Sequence, residues 1–178
     1  MLPDPLGAAW PRRDAELTLR PVTLGDVDAM VTYRSHPEVV RYLMHDVLER
    51  DAVAARVEER TGPVEPGATK VVRGAVIELE GRVVGDVMMA VKRRESGDDE
   101  LWIGYALHPD LWGRGLATRV VRLLVSLADE MGLVACAHTR PGNVGSERVL
   151  AKGGFECVGE DEADGMLRRV WRRPGWEG

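Results

Sequence analysis

The chain of 178 residues predicts one α+β domain built on a single central sheet. Three observations carry that prediction. The hydrophobic period switches from helical to alternating in the middle of the chain and back again. The elements run strand, helices, three antiparallel-looking strands, helix, strand, helix, strands, which is a mixed layout on one sheet. No internal repeat, low-complexity tract or linker divides the chain. Its length suits one domain whose core needs neither disulfide nor structural metal. The apolar share of 44% and charged share of 30% are ordinary for a globular protein.

Residues 1–16 hold three prolines and the pair Arg12-Arg13, and read as an irregular lead-in to a domain over 17–178. Leu17 to Arg20 alternates like a strand, and Pro21 limits it. Thr23 reads as a helix N-cap with Asp26 three residues on, before Val27, Met30 and Val31 at helical spacing. Pro37 opens a second short helix, and Asp51 to Arg60 forms a third, ended by Gly62-Pro63. Lys70 to Leu79 and Arg82 to Lys92 are β-rich runs joined at Glu80-Gly81, a hairpin signal. Glu100 to Leu107 is a further strand.

Leu116 to Met131 is the clearest amphipathic helix, with Val120, Val121, Leu124 and Leu127 on one face and Gly132 placed to end it. A strand over Leu133 to Thr139, a helix over Asn143 to Lys152, a strand over Phe155 to Gly159 and a closing hairpin over Gly165 to Trp171 complete the chain.

The net charge of −5 argues against a nucleic-acid binder. The N-terminus has neither the basic nor the apolar region of a secretory signal, and no run reaches membrane-spanning length. Cys136 and Cys157 lack metal-ligand spacing and read as buried apolar residues of a reducing compartment. The expectation is a cytoplasmic protein with no metal, no membrane partner and no nucleic-acid partner.

The most informative stretch is Leu107-His-Pro-Asp-Leu-Trp-Gly113-Arg-Gly115-Leu-Ala-Thr118. It sets two glycines between a strand end and the first turn of a helix, where unpaired amides and the macrodipole favour an anion. Glycine lets a phosphate approach the backbone, so the turn is competent for pyrophosphate, with Thr118 and Arg114 able to add a hydroxyl and a charge. The same turn can also do no more than join a strand to a helix. It is neither a Rossmann fingerprint nor a Walker A loop.

Tyr105 to Thr118 resembles the acetyl-CoA-binding motif of the GNAT acetyltransferases, in particular their ribosomal-protein N-terminal acetyltransferase branch. Asn143-Val-Gly-Ser146 through Gly154-Phe155 is similar to a second signature of that family. Leu17 to Asp26 and Pro37-Glu-Val also match the branch, so the resemblance covers most of residues 17–160. It implies a mixed, mostly antiparallel sheet flanked by helices on both faces and splayed to hold acetyl-CoA as co-substrate. It also implies transfer of an acetyl group to a primary amine on a small molecule or a protein N-terminus. The alternative is an acyl-CoA-binding sensor or interaction module of the same fold with no transferase activity. A homodimer is open, since such sheets often leave an edge free.

Carried over residue by residue, the resemblance implies that backbone groups at Leu107 meet the pantetheine arm and the developing oxyanion. The amides of Gly113, Arg114, Gly115, Ala117 and Thr118 would cradle the pyrophosphate. Asn143 would contact the cofactor, cap the following helix, or do both. The family's usual tyrosine acid falls at Leu150 and is absent, which leaves Ser146 as the implied acid. The branch's glutamate base falls at Trp102. Glu100, two residues earlier on the same strand face, is the first candidate base, and Asp86 the second. His108 belongs to the His-Pro-Asp loop, where its role is structural. Trp102 and Tyr105 lie on opposite faces of their strand, and Trp112 is expected to pack beneath the phosphate turn.

Overall fold

A computed structural model of the chain describes residues 1–43, 45, 47–94 and 97–174. Eight strands form one sheet: β1 (Arg12–Asp14), β2 (Leu17–Pro21), β3 (Lys70–Leu79), β4 (Arg82–Lys92), β5 (Glu100–Leu107), β6 (Val134–Thr139), β7 (Glu156–Ala163) and β8 (Met166–Arg172). Their order is β1-β2-β3-β4-β5-β6-β8-β7, and each neighbouring pair is antiparallel except β5–β6. The helices are α1 (Val27–Arg34), α2 (Pro37–Val40), α3 (Arg50–Thr61), α4 (Leu116–Glu130) and α5 (Val144–Lys152).

Strand alternation sends side chains to two separate cores. On one face Ile77, Val87, Met89, Leu101 and Ile103 pack against Val120, Val121, Leu124 and Leu127 of α4, with Leu150 of α5 and Phe155. On the other, Val76 and Ala106 meet Val27, Met30 and Tyr33 of α1, Val39 of α2, and Val53 and Val57 of α3. Helices therefore cover both faces, as expected.

Three details differ from the sequence expectations. Residues 12–14, inside the segment read as irregular, pair with Leu17–Leu19 as β1. Their anchors are distant in sequence: Arg12 pairs with Glu130, and Arg119 binds Asp14 and Glu16. Strand β7 runs on past Gly159 to Ala163. Cys157 is exposed, and only Cys136 is buried as expected of both.

The feature that positions the site is the pairing of β5 with β6. It runs only from Glu100–Val134 to Ile103–Ala137. Beyond it, β6 continues against β8 at His138 and Thr139, while Gly104 to Leu107 remain paired with β4 alone. The His108 amide donates to the Val84 carbonyl on the β4 side, at 2.8 Å. Backbone groups alternate sides along a strand, so those of Tyr105 and Leu107 face the gap.

Candidate active site

The gap opens into a cleft of about 560 Å³ between β5, the glycine turn, the first turn of α4, and α5. Gly113 and Gly115 sit at φ of 76° and 78°, the left-handed region that glycine enters without strain. No atom lies within 4 Å of where a Cβ would stand at either, so the backbone there is open to a ligand. Gly115 is the N-cap of α4, and its side offers no capping group to the helix amides. A helix of 15 residues thus presents unpaired N–H groups and its positive dipole end to the cleft.

Leu107, Gly113, Gly115, Ala117, Thr118, Asn143 and Ser146 all line this cleft. Arg114 does not; it is exposed. Trp112 is also half exposed, and its indole N–H donates to the Leu107 carbonyl at 3.0 Å, so it braces the turn from the side. That bond occupies the Leu107 carbonyl and leaves its amide facing the gap. His108 Nδ1 accepts from the Asp110 amide at 3.3 Å, a loop-stabilising contact in keeping with its structural reading.

Asn143 caps α5: its Oδ1 accepts from the Ser146 amide at 3.2 Å. The oxygen is thereby committed, and the side-chain NH2 remains as a donor. A second cleft of about 320 Å³ adjoins the first, and Tyr42, Leu43, Tyr105, Asn143 and Ser146 line both. At this junction the Tyr105 hydroxyl is buried and forms no hydrogen bond among the described residues. Burial pushes its pKa up to about 12, opposed by the hydroxyl of Ser146, which lies near it without the geometry of a formed hydrogen bond. A buried hydroxyl without a partner is uncommon in a folded chain.

The two carboxylates considered as bases are held elsewhere. Glu100 accepts from Arg172 at 2.9 Å and from the Trp102 indole at 2.8 Å, and lines neither cleft. Asp86 is 1% exposed and buried between α1, α3 and β4. Arg34 binds it at 2.5 and 3.0 Å, Tyr33 at 2.9 Å and Arg60 at 3.3 Å. Burial pushes the Asp86 carboxyl up, but Arg34 and Arg60 outweigh it and hold the pKa below the usual range. Its position is that of a latch between helices and sheet rather than of a base.

A residue that the sequence did not single out does line the second cleft. His138, one step beyond the last β5–β6 pair, stacks on Trp102 at 4.2 Å between ring centroids. Its Nε2 lies 3.2 Å from Asp161. Burial and then Arg168 lower its pKa, with Asp161 opposing, so the imidazole is neutral at pH 7. Its only signal in the sequence is a lone histidine on an apolar strand, which more often belongs to a core. Among the described residues no cluster could hold a metal ion, and no helix is long and apolar enough to cross a membrane.

A GNAT acetyltransferase domain model matches residues 16–156, and the chain belongs to that family. It is an acetyl-CoA-dependent N-acetyltransferase. No curated protein matches its sequence. Among solved structures, a GNAT-family acetyltransferase from Bacillus anthracis is similar at TM-score 0.72 and 20% identity, over 91% of this chain and 96% of that one. The aminoglycoside acetyltransferase AAC(6')-Ib in complex with coenzyme A and kanamycin aligns at TM-score 0.71 and 19% identity, over 88% and 94%. The ribosomal alpha-N-protein acetyltransferase RimL, in complex with coenzyme A, aligns at 0.73 and 16%, over 90% and 94%. At these identities the likeness is one of fold.

Proposed function

We propose that the larger cleft holds acetyl-CoA along the β5–β6 gap, and that the smaller one receives the amine acceptor, a small molecule or a peptide N-terminus. The observation that carries this reading is the gap itself, which leads from the N-terminus of α4 to the Tyr105–Ser146 junction. The residues fit the group: two strain-free open glycines and a helix N-terminus suit a pyrophosphate, and strand groups left without a partner suit an extended amide arm. When bound, acetyl-CoA supplies the activated thioester.

The chain's own groups then divide the work. Amides of the turn from Gly113 to Thr118 bind the phosphates, and the exposed Arg114 side chain adds positive charge to the turn. The Leu107 amide donates to the acetyl carbonyl oxygen, where negative charge grows during attack. Tyr105, with a pKa of about 12, is protonated at neutral pH. A thiol titrates near about 8.5, so Tyr105 stabilises a departing thiolate as a hydrogen-bond donor and need not give up its proton. Ser146 stands beside it as a second donor. Neutral His138 is available to take the amine proton. A cytoplasmic setting belongs to the same reading, because it keeps Cys136 and Cys157 reduced.

The test compares acetyl-CoA binding by calorimetry for the wild type and Gly115→Glu, with melting curves showing that both are folded. Micromolar binding lost in the variant supports the assignment. Equal binding by both proteins removes the turn from the site.

A further inference from the structure

The smaller cleft carries a charge pattern at odds with the rest of the molecule. The chain is acidic overall, at −5. Yet seven arginine and lysine side chains line this cleft, and no described aspartate or glutamate does. They converge from α1, α3, β3, β4, β8 and the turn after β6, so the accumulation belongs to the fold and not to one basic run.

Among the described residues, internal pairing cancels only part of that charge. Arg34 and Arg60 share one carboxylate, Asp86. Arg168 is matched by Asp161, which also meets His138. Arg56, Lys70, Lys92 and Arg140 have no carboxylate partner among the described residues. Lys92 rests over the Trp102 ring at 4.5 Å, and Arg140 donates to the Arg41 carbonyl at 3.2 Å. Burial, and then the neighbouring cations, make the charged forms of Lys92 and Arg56 harder to hold, with Glu100 and Asp161 opposing at Lys92 and Glu59 and Asp86 at Arg56. Concentrating unneutralised like charge around a cavity is unfavourable unless a ligand of opposite sign occupies it.

We infer that the acceptor is an amine that carries a carboxylate close to its nucleophilic nitrogen, as an α-amino acid or an acidic peptide N-terminus does, and not a polycation. The inference rests on the assignment of this cleft to the acceptor. A volume of about 320 Å³ is at the small end of ordinary ligand sites and suits such a molecule. The same cations would act on the reaction: positive potential disfavours an ammonium ion, so an acceptor anchored by its carboxylate presents more of its reactive neutral amine. That offers a route to the nucleophile where no carboxylate base faces the cleft.

The experiment follows thiol release from acetyl-CoA by the full chain with four acceptors: glutamate, a peptide beginning Glu-Asp, the diamide of glutamate, and spermidine. The carboxylate-bearing amines should exceed the diamide in kcat/KM by about tenfold or more, with added salt reducing the difference. In Lys92→Gln and Arg56→Gln the acceptor KM should rise at least about fivefold while the KM for acetyl-CoA stays put. The two arms separate a free amino acid from a peptide end. Equal use of the diamide, or preference for spermidine, overturns the inference and leaves the transfer reading intact.

If acetyl-CoA binds but nothing is acetylated, calorimetry on the CoA complex decides. N-acetylglutamate should bind and its diamide should not, whereas no difference overturns the inference. Absence of acetyl-CoA binding is the separate failure of the cofactor assignment.

Discussion

Tyr105 presents an unusual energetic situation for a single side chain. A buried hydroxyl left without a partner costs about 1–3 kcal/mol. Tyr105→Phe should therefore keep or raise stability in urea while kcat falls by about tenfold to a hundredfold, in line with loss of a transition-state donor. A stable variant with unchanged kcat would remove Tyr105 from the chemistry. Asp86 sits at the opposite extreme, with every contact made. Asp86→Asn leaves two buried guanidinium groups with no carboxylate, and should cost about 3–5 kcal/mol in denaturant unfolding.

The pH sign follows from the depressed pKa of Asp86. Its contribution is full above the unfolded-chain value of about 3.9 and is lost as pH falls through the folded value. Stability curves of the wild type should therefore fall more steeply than those of Asp86→Asn below about pH 4. Neither role was readable from sequence. Asp86 on a strand looks the same whether solvent or two arginines surround it, and both arginines come from helices more than twenty residues away.

Helices α4 and α5 show how far an element can be legible. The period of Val120, Val121, Leu124 and Leu127 announces α4, and Asn143 announces the start of α5, because both signals are local. Asn143→Ala removes the cap on the Ser146 amide and should cost about 1 kcal/mol in thermal or urea unfolding. It should also loosen Ser146 and raise the KM for acetyl-CoA. Strand β7 shows the converse. Glu160, Asp161 and Glu162 lack strand patterning, yet they pair because β8 brings Arg169 to Glu160 and Arg168 to Asp161. Strand β1 is likewise held by contacts to α4 that no local pattern contains.

At the scale of the whole molecule, the order of elements sufficed for the fold class, while the cosubstrate was legible only through the resemblance of the glycine turn and the Asn143 segment to a family's motifs. Glu100 was misread because an alternation rule gives a strand face but not what stands opposite. Here Arg172 does, from a strand seventy residues on. The basic cleft was hidden for a related reason. Its cations are scattered from Arg34 to Arg168, and only the folded sheet gathers them.

The interrupted β5–β6 pairing also bears on how long the protein survives. The strand groups beyond Ile103 and Ala137 have no ladder partner across the opening, and a ligand bound there as proposed would supply contacts that only the folded chain offers. Acetyl-CoA at a hundred times its Kd should add about 2.7 kcal/mol. For a chain of this size that raises Tm by roughly 5–10 °C, which differential scanning fluorimetry reads directly. Unfolded copies are what cellular proteases consume, so the standing amount of this enzyme would follow the supply of the metabolite it uses. In a starved cell it would be degraded sooner, with no dedicated regulator involved.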